Sequence, residues 1–318
     1  MSRIFEALQR ADMERGVTDQ PAIPGQRSVI EQPAVEQPLS PIEEAAVPDP
    51  QQSDNSFAAC IRPTPWTLSA SSFPTLQERG VEVEQFRRLR TEIYKFRQNS
   101  ALRTILVSSS IPGEGKTFVT ANLAMSLARN SEHRTLLIDG DLRRPKMHLM
   151  LGTTNEQGLS EYLIGAAELT DIMQRASNPG DFERYGVKSV SNLTFISAGR
   201  YGNVSLESVT DSLFIDMIAK LSPHFDWIVI DSAPLLSVTT AVDLARAADG
   251  VLLVARPGKT PFAAAQRAQA AFGNSRILGY VLNAVKEASR MHTGHTNYFG
   301  APDIGAVPQK PQKQVPER

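Results

Sequence analysis

The sequence predicts an α/β fold, doubly wound, in which a mainly parallel sheet carries helices on both faces. Three observations predict it. Short runs rich in branched residues ("TILVSS", "TLLIDGD", "LTFIS", "DWIVID", "GVLLVAR", "ILGYVLN") recur between Thr104 and Asn283 and are almost continuously apolar, as strands buried on both faces are. They alternate with longer helical patterns such as "GKTFVTANLAMSLARN", which reads as an amphipathic helix, and "AVDLARAA", the order expected of a parallel sheet. A Gly-rich turn separates the first run from the first helical pattern, where ligands of such sheets bind, beyond the carboxyl ends of strands.

Ahead of this domain, residues 1–15 place Ile4, Phe5, Leu8 and Ala11 at helical spacing, which predicts a short amphipathic helix whose apolar face wants a partner. Residues 16–80 follow as a tether. Ten of the chain's 21 prolines fall between Val17 and Pro74, among Gln, Glu and Ser, a composition unsuited to a packed core. The folded domain is expected over residues 81–300, and the polar, Pro-rich stretch 301–318 is expected to be a disordered tail.

The 318 residues are 41% hydrophobic and 21% charged, ordinary for a globular protein. With 33 Lys+Arg against 34 Asp+Glu and a formal net charge of -1, nothing draws the chain as a whole to nucleic acid. Cys60 is the only cysteine, so an intrachain disulfide is excluded and a reducing compartment fits. No run of about 18 uncharged apolar residues occurs, and the N-terminus lacks the apolar stretch of a signal peptide. The chain is read as cytoplasmic, without a membrane span of its own.

The chemistry is expected to begin at "SSSIPGEGKTFVTANLA". A P-loop is a Gly-rich turn between strand and helix whose backbone N–H groups cradle phosphates, while a Lys reaches the β/γ-oxygens and a Ser/Thr hydroxyl ligates Mg²⁺. Gly113, Gly115, Lys116 and Thr117 supply those parts, with Ser110 where the general pattern has its first Gly. The fold class narrows to the P-loop NTPase type. Next, "TLLIDGDLRRPKMH" ends a strand in Asp139 and Asp141, which point the same way if the strand stays extended. One would orient a metal water and the other approach the reacting hydroxyl. In "FDWIVIDSAPLL", Asp231 closes an apolar strand as a Walker B acid does, placed to hold Mg²⁺ directly or through water. "RRPK", Arg143–Lys146, adds a local basic cluster that binds phosphate or acidic groups on a neighbouring subunit or is simply exposed, and "HTGH", His292 and His295, reads as a polar loop.

Taken in order, "PGEGKT", "LLIDGDLRRP" and "IVIDSAP" resemble the bacterial tyrosine kinases of capsular and exopolysaccharide biosynthesis, P-loop enzymes related to the septum-positioning and chromosome-partitioning ATPases. The resemblance covers about Val81 to Tyr298, and "DGDLRRP" is its most discriminating part. The partitioning relatives carry a signature Lys early in the P-loop, where this sequence has Ile111 and Pro112. The resemblance implies ATP and Mg²⁺ as cofactors. It implies nucleotide contacts from Gly113, Glu114, Gly115, Lys116, Thr117 and Phe118, metal contacts from Thr117, Asp139 and Asp231, and catalytic roles for Lys116, Asp139 and Asp141. Asn283 matches a position that touches adenine in related ATPases, or is a strand-terminal turn residue.

Glu84, Arg87 and Arg90 fit the family's E-x-x-R-x-x-R pattern, and their spacing puts them on one helical face. From the residues alone this is a solvated charged face; the resemblance implies a subunit interface and a ring-like homo-oligomer. Family members end in a tyrosine-rich cluster, whereas here Tyr298 is the only tyrosine beyond Asn283. Tyr298 is then a minimal phosphoacceptor, or the chain phosphorylates other proteins, or it has lost autophosphorylation. The family also works with a membrane adaptor, a chain-length co-polymerase. Here it is expected as a separate partner that recruits the chain to the inner face of the cytoplasmic membrane, docking on the N-terminal helix or tether. The leading expectation is an ATP-dependent protein-tyrosine kinase regulating polysaccharide polymerisation or export. The alternative is a non-kinase P-loop ATPase switch that assembles on nucleotide binding to position an envelope or partitioning machine, and a third reading is a nucleotide-binding scaffold without turnover.

Overall fold

In chain order the elements are β1 (Arg62–Thr64), α1 (Val81–Asn99), β2 (Thr104–Ser109), α2 (Lys116–Ala128), β3 (Thr135–Asp139), α3 (Met147–Leu151), α4 (Leu159–Leu163), α5 (Leu169–Ile172), β4 (Met173–Ala176), β5 (Leu193–Ile196), α6 (Thr210–Leu221), β6 (Trp227–Asp231), α7 (Thr240–Ala245), β7 (Gly250–Ala255), α8 (Phe262–Ala271) and β8 (Ile277–Leu282). This computed structural model describes residues 57, 59–130, 132–177, 191–200, 210–237 and 240–285. The chain divides into two units, Met1–Asn283 and Ala284–Arg318, and the fold described is that of the first. The expected N-terminal helix, Tyr298, His292, His295 and the tail 301–318 lie outside the described residues.

The strands form one sheet in the order β1-β4-β5-β3-β6-β2-β7-β8. All pairings are parallel except β4 with β5, so the sheet is mainly parallel, as expected. The six apolar runs of the sequence are β2, β3, β5, β6, β7 and β8. Every residue of β2, β3, β5, β6 and β7 is buried, which is why their sequences do not alternate. Alternation survives in three dimensions: Ile105 and Val107 enter one core, Leu106 the other.

Two expectations are corrected. The first is the tether, which composition extends to residue 80 but which gives way to packed structure some twenty residues earlier. β1 joins the sheet beside β4, and Ile61, Trp66, Leu68, Phe73 and Leu76 are all buried. Trp66 meets Phe195 edge-on at 6.3 Å and its indole N–H donates to Thr64 Oγ1 at 3.0 Å. Prolines and serines set this segment's irregular path without preventing its few large apolar side chains from filling the core. The second is the helix after the Gly-rich turn, expected to be amphipathic. Along α2 every residue but Thr117 and Phe118 is buried, because sheet strands lie on one side and α1 and residues 73–76 on the other. Its Ala and Ser positions allow that close approach, and Asn122 is satisfied inside by the Thr75 hydroxyl (2.8 Å) and by the Ser72 and Phe118 carbonyls.

Candidate active site at the P-loop

β2 runs between β6 and β7, and at its carboxyl end the chain turns through Ser110–Gly115 into α2. Gly113 (φ 78°) and Gly115 (φ 90°) sit in the left-handed region, which glycine enters at little cost. A side chain at Gly115 would also fall 1.9 Å from Asn283 Nδ2. Ser110 needs no such conformation, since it has no positive φ, and so the departure from the general pattern costs the loop nothing. Gly115 caps α2 without a side chain, leaving the first-turn amides facing the loop.

The loop is held from within and from across the sheet. Glu114 is buried, its Oε2 accepting the Ile111 N–H at 2.8 Å and its Oε1 the Thr260 hydroxyl. Asn283 Nδ2 donates to Glu114 O at 2.9 Å and Lys259 Nζ to Gly113 O at 3.2 Å. Asn283 thus touches the P-loop.

The three acids arrive from two neighbouring strands. Asp139 and Asp231 end β3 and β6 at one register. Asp141 Oδ2 accepts Lys116 Nζ at 2.9 Å, and Asp231 Oδ1 lies 3.7 Å from the same ammonium and 3.3 Å from the Thr120 hydroxyl. Burial opposes charge on Lys116, but Asp231, Asp141 and Asp139 together outweigh it and hold its pKa above the ordinary lysine value. Burial also drives Asp231 upward, against the pull of Lys116.

Asp139 and Asp141 do not point the same way. The strand ends at Asp139, and the Gly140 N–H turns to Asp231 O at 2.9 Å. Asp139 faces inward with no exposure; its oxygens accept the Asp141 N–H (3.2 Å) and the Met147 N–H (3.1 Å). Its pKa is pushed up to about 8, chiefly by burial and then by the negative charge of Asp231. Asp141 alone of the three lines the adjoining cavity of 520 Å³, with Pro112, Lys116, Phe118, Met150 and Pro234 on its walls. Arg143, Arg144 and Lys146 stand at the same cavity, as the "RRPK" cluster permits. A larger cleft of 710 Å³ lies at the amino ends of the strands, along residues 97–104 and Asp249, and holds none of these groups.

Glu84, Arg87 and Arg90 share α1, away from this cavity. Arg87 pairs with Glu84 at 2.5 Å, and Arg90 donates to Ser126 O near the end of α2 at 2.7 Å. The sequence reading missed Thr120, Lys259 and Thr260. Thr120 carried a signal, one helical turn after Lys116; the other two had none, being brought over from beyond β7.

Comparison with known proteins agrees with this geometry. A family model described as an AAA domain matches residues 102–267. The tyrosine-protein kinase YwqD of Bacillus subtilis is 28% identical over 71% of this chain and 90% of its own length, and the putative tyrosine-protein kinase CapB of Staphylococcus aureus 29% over 68% and 90%. The putative kinase AmsA of Erwinia amylovora is 31% identical over 68% of this chain, which spans only 28% of that protein. Among solved structures, the kinase domain of Escherichia coli tyrosine kinase ETK matches with a TM-score of 0.52 and 28% identity, over 69% of this chain and 80% of that one. The chimeric protein CapA2B2 matches with a TM-score of 0.60 over 74% and 98%, a likeness of fold at 23% identity. The chain belongs to the AAA-domain family of P-loop proteins and, within it, to the bacterial tyrosine kinases.

Proposed function

We propose that this chain is an ATP- and Mg²⁺-dependent protein-tyrosine kinase of capsular or exopolysaccharide biosynthesis. The observation that carries the reading is the buried Lys116–Asp141 pair at the cavity wall. Phosphate oxygens in the P-loop offer Lys116 a stronger partner than one carboxylate, because several oxygens share the charge. As Lys116 turns to them, Asp141 is uncovered toward the cavity, where it accepts the hydrogen bond of a tyrosine hydroxyl. A phenol of pKa ~10 needs little basic help in a loose phosphoryl transfer, so positioning and charge neutralisation carry most of the catalysis.

The acids suit a magnesium ion by charge. The carboxylates of Asp141 and Asp231 stand 2.9 and 3.7 Å from one lysine, and Asp231 Oδ2 is buried without a hydrogen-bond partner among the described residues. Thr117 and Asp231 would hold the ion, directly or through water, and when bound it supplies positive charge against the β- and γ-phosphate oxygens. We assign Asp139 to positioning, since both its oxygens are committed to backbone N–H groups that fix Asp141 and the start of α3. Glu114 holds the loop's shape, and we assign Asn283 to the nucleobase on the strength of its hydrogen bond to Glu114 O.

Glu84 and Arg87 keep 54% and 40% of their side-chain surface, which supports a contact between copies in a ring-like homo-oligomer. No helix of the described residues is long and apolar enough to cross a membrane. A separate membrane adaptor is our candidate for recruiting the chain to the inner face of the cytoplasmic membrane. Protein tyrosines, Tyr298 among them, are the acceptors.

The test is phosphotyrosine mass spectrometry on the full chain with Mg-ATP, with and without an adaptor fragment and tyrosine-bearing substrate proteins, beside Lys116→Met. Phosphotyrosine that the Lys116→Met protein fails to make is expected. ATP hydrolysis without phosphotyrosine on any protein would replace the kinase by an ATPase switch.

A further inference from the structure

We propose that the cleft between α1 and the C-terminal end of α2 is a second anion site, separate from the P-loop, that takes a phosphoryl group. Arg87, Arg90, Tyr94, Arg129, Asn130 and His133 line its 560 Å³. Three guanidiniums thus share one wall with a phenol and an imidazole. Two carboxylates stand near them: Glu84, spent on Arg87, and Glu78, close enough to favour the charge of Arg129 without forming an ion pair. Among the described residues, neither Arg90 nor Arg129 forms an ion pair.

An ordinary reading exists, in which the arginines satisfy backbone carbonyls and nothing more. It accounts for one edge of the Arg90 and Arg129 forks, while Arg87 spends Nη1 on Glu84 and Nη2 on the Glu78 carbonyl at 2.9 Å. Arg90 Nη1 donates to Ser126 O at 2.7 Å and Arg129 Nη1 to Thr75 O at 2.9 Å. A guanidinium carries five N–H donors in a rigid plane, so donors remain on both after those bonds. The carbonyls instead immobilise the forks, so that binding an oxyanion costs little further side-chain entropy. Tyr94 OH and Asn130 Nδ2 are each in turn tied to His133 Nδ1, at 3.1 and 3.3 Å, which orders the neutral part of the wall as well.

The like charges make the empty arrangement costly. Burial and then the repulsion of Arg87 and Arg90 lower the pKa of Arg129, a penalty that a bound dianion reverses. Converging arginine forks match tetrahedral phosphate oxygens better than they match a single carboxylate, because several N–H pairs can be met at once. The position is also telling. α2 has Lys116 in its first turn and Ala128 in its last, so the cleft lies roughly 18 Å along the helix from the nucleotide site at 1.5 Å per residue. Inorganic phosphate and a phosphotyrosine side chain share the recognised chemistry. The inference does not depend on kinase activity.

The experiment is NMR on the full chain, following Tyr94 and His133 ring signals during titration with inorganic phosphate and, separately, O-phosphotyrosine, with potassium chloride at matched ionic strength as control. A saturable shift of both rings by at least one phosphoryl compound, and none with chloride, is expected. Arg129→Gln should weaken that binding at least tenfold, with Arg129→Lys between. Should Arg129→Gln lose the native ring signals through its tie to Thr75, Arg90→Gln decides, and it should weaken binding likewise. Response to one compound only identifies the source as free anion or side chain. Rings unmoved by both compounds through the millimolar range, or equal affinity in wild type and variants, would overturn the proposal.

Discussion

Asp139 and Asp231 end neighbouring parallel strands in one register, and both residues are buried. Two buried carboxylates side by side cannot both ionise cheaply. The fold tolerates them because Lys116 stands opposite and because Asp139 takes up a proton that an exposed aspartate would release.

The first prediction concerns pH. An unfolded aspartate titrates near 3.9, whereas Asp139 in the native protein is pushed up to about 8. Between those values the native state holds a proton that the unfolded state has lost, so this group's contribution to stability declines as pH rises. Without nucleotide or Mg²⁺, the melting temperature should fall from pH 5 to pH 8, and Asp139→Asn, which cannot ionise, should flatten that slope. A wild-type slope matched by the variant would remove Asp139 as its cause.

The second concerns phosphoryl transfer. Lys116→Met should lower kcat by about 10²- to 10³-fold, as the loss of one preorganised charge contact does. Asp141→Asn should lower kcat by about 10²-fold, the low end for a positioned proton acceptor. The ATP affinity of the Asp141→Asn protein should stay close to wild type, because Lys116 is then already released toward the phosphates. Single-turnover kinetics beside nucleotide titration separates the two effects. An Asp141→Asn protein with wild-type kcat would leave Asp141 as a resting partner of Lys116 and nothing more.

The third concerns Glu114. Its carboxylate accepts an amide and a hydroxyl while almost fully buried, and Glu114→Gln turns an N–H₂ group toward one of those donors. A loss of about 1–3 kcal/mol is expected from the unmet groups, with a raised ATP KM and faster hydrogen exchange at the Ile111 amide. Unchanged exchange there would mean the loop keeps its shape without the carboxylate.

The fourth tests where the domain begins. Trp66→Ala should cost about 3–5 kcal/mol, as deletion of a buried aromatic does, and a chain starting at residue 81 should unfold far below one starting at residue 57. Equal melting temperatures for the two truncations would return residues 61–76 to the tether.

What the sequence made legible were features that short stretches determine alone. "TILVSS" and "DWIVID" announce buried strands because nothing in them could face water, and the P-loop is written in consecutive residues. β1 and the Phe73–Leu76 turn were illegible because the Pro- and Ser-rich composition around them outweighs five apolar residues that matter only once folded. The split between Asp139 and Asp141 depends on the chain leaving the strand at Gly140, which hydrogen-bonds to a strand some ninety residues later. Thr260 reaches Glu114 from 146 positions away, and Arg129 joins Arg87 and Arg90 from another helix. Propensity and period see none of these pairings.

The sheet order has one more consequence. β1 and β8 form its two outer edges with six strands between them, about 34 Å apart at the usual inter-strand spacing. Each edge strand turns one side of its backbone away from the sheet, so a strand added by another polypeptide at one flank would leave the other untouched.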